Sequence, residues 1–155
     1  MKLYIKQKMF SFKDKFHVYG LHGEERYYVE GDFTLVGKRL HVYDNAGREV
    51  AFIHHKTPSF PPKFFVSVGG QEVALIEKEF TFARPKYRIV GPGWKVEGEF
   101  WTHNYRITKN DRTVVRISKQ LFTIGDSYEL DIESPEDEIV ALAVVLVIDV
   151  MLSSK

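Results

Sequence analysis

The chain has 155 residues, no cysteine, and 22 Lys plus Arg against 21 Asp plus Glu, for a formal net charge of +1. That length suits one domain with its own core, and the lack of cysteine excludes a disulfide framework, a thiolate metal site and a thiol nucleophile. Near-zero net charge leaves any attraction to nucleic acid or anionic lipid to a local patch.

The opening MKLYIKQKMFSF alternates polar and apolar residues and lacks the continuous apolar run of a signal peptide. With no cysteine, the expected location is cytoplasmic, peripheral at a membrane if lipid is the ligand. From Lys2 to Ile132 the apolar positions recur mostly with period two, in short runs rich in Val, Ile, Phe and Tyr that end at Gly, Asp, Asn or Pro. These runs predict antiparallel strands near 15–19, 26–36, 38–43, 48–56, 63–68 and 72–78. A second series follows near 86–90, 94–101, 104–108, 113–119, 121–125 and 128–132.

The two series match each other. FSFKDKFHVYG (10–20) is echoed by FTFARPKYRIVG (80–91), VEGDF (29–33) by VEGEF (96–100), and LHVYDNAGREVAFIHHK (40–56) by YRITKNDRTVVRISKQ (105–120). The offset drifts from 71 through 67 to 64, so the second copy has lost loop residues. An internal repeat of this kind constrains topology more than any single strand does. It predicts one domain over 1–155, with repeat 1 at about 9–78 and repeat 2 at about 79–132. Twelve antiparallel strands must hide their edges, and a closed barrel removes them. Twelve strands also leave a lumen wider than their own side chains fill.

Only one segment can occupy that lumen. From Ile139 to Leu152 Asp149 is the sole charged residue. As a helix these fourteen residues reach about 21 Å, against a hydrocarbon core about 30 Å thick, and a carboxylate deep in lipid costs about 2.5 kcal/mol or more. Ser134, Pro135, Glu136 and Asp137 resemble a helix start, with an N-cap, an N1 proline and acids near the positive end of the dipole. Half of the fourteen residues are β-branched, which leaves a thirteenth strand open on local propensity. A buried strand of that length is unusual, so the expectation is a helix over about 135–152 threaded through the barrel.

The order of LYIKQKMFSFKDKFHVY, YVEGDF, the 40–56 hairpin, VEGEFWTHNYRI, SYELDI and ALAVVLVID resembles the LURP-one-related family, within the tubby-like C-terminal domain superfamily. The resemblance covers essentially the whole chain. It implies a mainly β fold, a closed twelve-stranded antiparallel barrel around a central apolar C-terminal helix. It implies no characterised catalytic activity. Among more distant relatives, tubby domains bind phosphoinositide headgroups through basic side chains and phospholipid scramblases act at membranes. The tubby basic residues do not map one by one onto this chain, so none is carried over.

Catalytic and metal chemistry find little support. His54 and His55 are adjacent on a predicted strand and point to opposite faces, so they cannot share a metal, and no zinc motif occurs. No cofactor is expected. Gly69-Gly70 and Gly91-Pro92-Gly93 lie between strands and read as turns, and no G-x-S-x-G signature is present. Glu30 and Glu97 are repeat-equivalent, so they belong to the fold, and the glycines after them, Gly31 and Gly98, read as bulges or sharp bends.

Features found in one copy only are not required by the repeat. Lys38, Arg39, Arg48, His54, His55 and Lys56 make the first hairpin basic at its HHK ending, where the second copy has SKQ. TPSFPPKFF (57–65) has no partner in the second copy. Arg84, Lys86 and Arg88 stand where the first copy has Asp14, Lys15 and His17. Each has a plainer explanation, the charges as a solvated barrel face and the prolines as a stiff interstrand loop. The functional expectation is a non-enzymatic binding module whose basic face, with these nine residues, docks anionic phospholipid headgroups. The alternative is a protein interaction scaffold using the 57–65 loop. Nucleic acid is not an expected partner, and the sequence gives no oligomeric state.

Overall fold

Period-two alternation fixes which side chains share a face, and in a closed sheet the apolar set must turn inward. The computed structural model describes residues 1–6, 15–34, 37–79, 85–121 and 126–153. Its strands are β1 (Lys2–Lys6), β2 (Lys15–Tyr19), β3 (Glu25–Thr34), β4 (Gly37–Asp44), β5 (Glu49–Lys56) and β6 (Lys63–Val68). They continue with β7 (Gln71–Glu79), β8 (Lys86–Val90), β9 (Trp94–Glu99), β10 (Asn104–Lys109), β11 (Arg112–Leu121) and β12 (Asp126–Ile132). Each strand pairs antiparallel with its sequence neighbours, and β1 pairs with both β2 and β12, closing the barrel.

That closure corrects the expected strand inventory. Residues 113–119 and 121–125 were expected as two strands. The structure has one strand, β11, and residues 122–125 lie outside the described ones. The remaining strand is β1, whose five residues pair in register from Lys2↔Asp131 to Lys6↔Ser127. Leu3 and Ile5 are fully buried, Tyr4 donates to Glu129 Oε1 at 2.8 Å, and the Met1 ammonium donates to the Ile132 carbonyl at 2.8 Å. Around the barrel, β2 to β6 correspond to β8 to β12, and β1 stands where β7 stands in the other half.

The predicted strand 94–101 ends at Glu99, because Phe100–Thr102 form a 3-10 turn followed by His103 in the left-handed conformation (φ 54°). Register runs unbroken through Gly31↔Leu40 and Gly98↔Tyr105, so neither glycine forms the expected bulge. Gly98 is needed for another reason: at φ +140° a Cβ would lie 2.6 Å from Tyr105 Cα. The bulges fall at Val18/Tyr19, Val42/Tyr43, Val66/Ser67 and Ile107/Thr108.

The plug is the expected one. A 3-10 turn over Pro135–Asp137 leads into α1 (Glu138–Ser153), and every residue from Ala141 to Val150 is buried against inward side chains such as Val29, Ile53, Ile76 and Ile107. A helix apolar all round is stable in water only when enclosed like this. The start differs in detail: Ser134 makes no side-chain cap, and its carbonyl instead accepts from the Asp137 N–H at 3.0 Å. Among the described residues no helix is long and apolar enough to cross a membrane.

Candidate functional site

Turns of two to five residues join β2–β3, β4–β5, β6–β7, β8–β9 and β10–β11 at one end of the barrel, where α1 begins. The opposite end, where α1 terminates, carries the 57–62 connection. The start of β4, the end of β5 and the start of β6 make up this second rim. Five of the nine sequence-predicted residues meet there.

Register places Arg39 opposite His54 and Lys56 opposite Lys63. Alternation then divides the rim. Lys38, His55 and Phe64 continue the inward rows that contain Leu40, Ile53 and Val66, while Arg39, His54, Lys56, Lys63 and Phe65 face outward. His55 stacks on Phe64 with ring centroids 4.9 Å apart, and its Nε2 lies 3.4 Å from Ser59 Oγ. Burial and then the neighbouring Lys38 ammonium hold its imidazole below the usual histidine range, and burial lowers Lys38 as well. The His54 ring lies between Phe52 and Phe65, 5.3 Å from each, and Lys56 Nζ is 5.9 Å above the Phe65 ring. Lys38, Arg39, Lys56 and Lys63 form no ion pair with a carboxylate among the described residues.

Three of the other four predicted residues lie outside these three strand ends. Arg48 sits at the short-turn end, tied to Asp44 by a 3.0 Å ion pair within the β4–β5 turn. Lys86 lies 3.8 Å from Glu97, and Arg88 donates to Glu77 at 2.7 Å, which raises the guanidinium further above its usual range. Glu77 is also the cross-strand partner position of Lys63 in the β6–β7 register. Both basic side chains on β8 are therefore neutralised by their neighbours. Arg84 lies outside the described residues.

Two polar clusters that hold the plug were missed by sequence reasoning. Near the start of α1, Glu138 accepts from Arg26 at 3.0 and 3.2 Å and from the Tyr27 hydroxyl, and is itself buried. Near its end, Asp149 Oδ1 lies 3.2 Å from His103 Nε2, and Oδ2 accepts from the Tyr128 hydroxyl. The His103 and Tyr128 rings stack at 4.2 Å. Desolvation pushes the Asp149 carboxyl above its usual range, opposed by the hydrogen bonds from His103 and Tyr128. His103 Nδ1 and the Tyr105 hydroxyl are buried without a hydrogen-bond partner among the described residues. The only sequence signal for this cluster is Asp149 itself, out of place in an apolar run.

A model of the LURP-one-related family matches residues 1–149. The chain belongs to the LURP-one-related family. This LURP-one-related chain is 36% identical over 152 residues to the uncharacterized protein YxjI of Bacillus subtilis (strain 168), covering 98% of this chain and 94% of YxjI. Its barrel also superposes on the X-ray structure of a protein from Arabidopsis thaliana with a TM-score of 0.65. The two share 12% sequence identity over 96% of this chain and 90% of the plant protein, a likeness of fold. The fold implied by the family resemblance is thus the one observed. No relative's name carries a ligand or a reaction to this LURP-one-related barrel.

Proposed function

We propose that this LURP-one-related barrel is a non-enzymatic binding module that docks peripherally on anionic phospholipid headgroups, phosphoinositides included, through the rim of Lys38, Arg39, Lys56 and Lys63. The supporting observation is a contrast in charge pairing. Arg48, Lys86 and Arg88 each form an ion pair with a carboxylate, whereas these four cations, gathered within three adjacent strands, form none among the described residues, even though Asp32 and Glu77 stand opposite Arg39 and Lys63 in register. Cations left unpaired on one rim suit a ligand that brings its own negative charge.

Flotation of the purified protein with neutral vesicles and with anionic vesicles containing phosphoinositide, at low and high salt, tests this reading. Binding is expected to anionic vesicles alone and to fall as salt screens the contact. At about 1 kcal/mol per cation near such a surface, Lys38→Glu, Arg39→Glu and Lys56→Glu together should lower affinity about 100-fold or more. Unchanged flotation of the triple variant would sink the proposal, as would equal binding to neutral vesicles.

A further inference from the structure

The connection between β5 and β6 is built differently from the other described turns. Its sequence is Thr57-Pro58-Ser59-Phe60-Pro61-Pro62, and three prolines fix φ at half of its positions. The Ser59 hydroxyl ties the two strand ends together, donating to the Lys56 carbonyl and accepting from the Lys63 N–H at 3.1 Å. The loop is thereby pre-organised. Phe60 lies in its middle and is 86% exposed.

Four large hydrophobic residues are exposed among the described ones. Leu21, Val73 and Val90 lie toward the short-turn end, in or beside the turns there, and only Phe60 stands at the cationic rim. Lys56 and Lys63 face each other across β5 and β6 at the base of the loop. Like charges opposite one another cost a sheet stability, a cost that Glu77, opposite Lys63 on its other side, only partly offsets. An aromatic tip above two long cationic side chains has the amphipathic profile of a membrane-interface anchor. The ring reaches below the headgroups while the ammonium groups extend to the phosphates. Firm peripheral binding takes two such signals, charge and apolar insertion, because either alone is weak.

We propose that Phe60 inserts at the headgroup–acyl boundary of an anionic bilayer while Lys56 and Lys63 engage the phosphates above it, so that the 57–62 loop orients the barrel with its long-connection end toward the membrane. This inference rests on the lipid-docking reading and adds the apolar half of the contact.

The test uses the full chain and vesicles of phosphatidylcholine, with and without phosphatidylserine plus phosphoinositide. Phe60→Ala should weaken binding to the anionic vesicles about tenfold, from the apolar surface no longer buried, and a thermal melt of the same variant separates lost binding from lost folding. Phe60→Trp should show a blue-shifted emission and quenching by brominated acyl chains on anionic vesicles only. The unsubstituted protein, whose two tryptophans are Trp94 and Trp101, is the control. If Phe60→Ala binds as tightly as the unsubstituted chain while Lys56→Glu with Lys63→Glu abolishes binding, the insertion is overturned and electrostatic docking survives. If the unsubstituted protein floats with neither vesicle, both readings fall and the loop is reassigned to a protein surface.

Discussion

Asp149 is the one residue that the apolar helix would discard if burial alone governed its sequence. Its carboxylate is held by the His103 ring and the Tyr128 hydroxyl, and removing it leaves those groups buried without a partner. Asp149→Ala should therefore cost about 3 kcal/mol in a urea unfolding experiment. A loss below 1 kcal/mol would mean that the cluster is incidental to the plug. The pH dependence has a definite sign. Burial raises the folded pKa above the ordinary value of 3.8, so the folded chain keeps the Asp149 proton over a range in which the unfolded chain has released it. The stability from this proton is complete below 3.8 and is lost as pH rises through the folded value. Asp149→Asn stays neutral throughout, so its stability relative to the unsubstituted chain should improve between pH 4 and pH 7. Sequence alone marks Asp149 as anomalous. Its partners stay hidden because they lie 46 and 21 residues away and meet it only when the barrel encloses the helix.

Lys56 and Lys63, facing each other on β5 and β6, give an opposite expectation at the level of strands. Lys56→Glu turns a repulsive cross-strand pair into an attractive one and should raise stability by about 0.5 kcal/mol, even as it weakens lipid docking. A thermal melt of the variant beside its flotation would separate these effects. β1 closes the barrel, and its loss would expose the edges of both β2 and β12. Deleting residues 1–6 should convert a monodisperse protein into aggregates on size-exclusion chromatography. What the sequence made legible follows from locality. A plug with ten consecutive buried positions announces itself, and five-residue strands such as KFHVY and KYRIV are marked by matching each other across the repeat, whereas KLYIK has only Leu3 and Ile5 to mark its inward face. Basic positions on β4 and β5 were legible as a cluster for the same reason. Whether a cation is neutralised depends on the neighbouring strand, and so Arg88 with Glu77 and Lys86 with Glu97 could not be told from Lys38 and Arg39.

The whole molecule has one core, shared between wall and plug. Inward rows of all twelve strands pack on α1, so a chain cut after residue 134 has a lumen with nothing apolar to fill it. Such a truncation should be insoluble and show no cooperative unfolding transition, and a soluble, cooperatively melting fragment would refute the shared core. The pairing of β1 with β12 has a further consequence for a chain made from its N-terminus. At about 5–20 residues per second, synthesis reaches Ile132 roughly 6–25 seconds after Lys6. The first strand to leave the ribosome must wait for the last before its second edge is covered, and α1 is made later still. A helix about 10 Å wide cannot be threaded into a finished wall, so the wall must wrap around it. Domain-by-domain folding during translation is closed to this protein. Its half-built sheet instead stays open until α1 has been made.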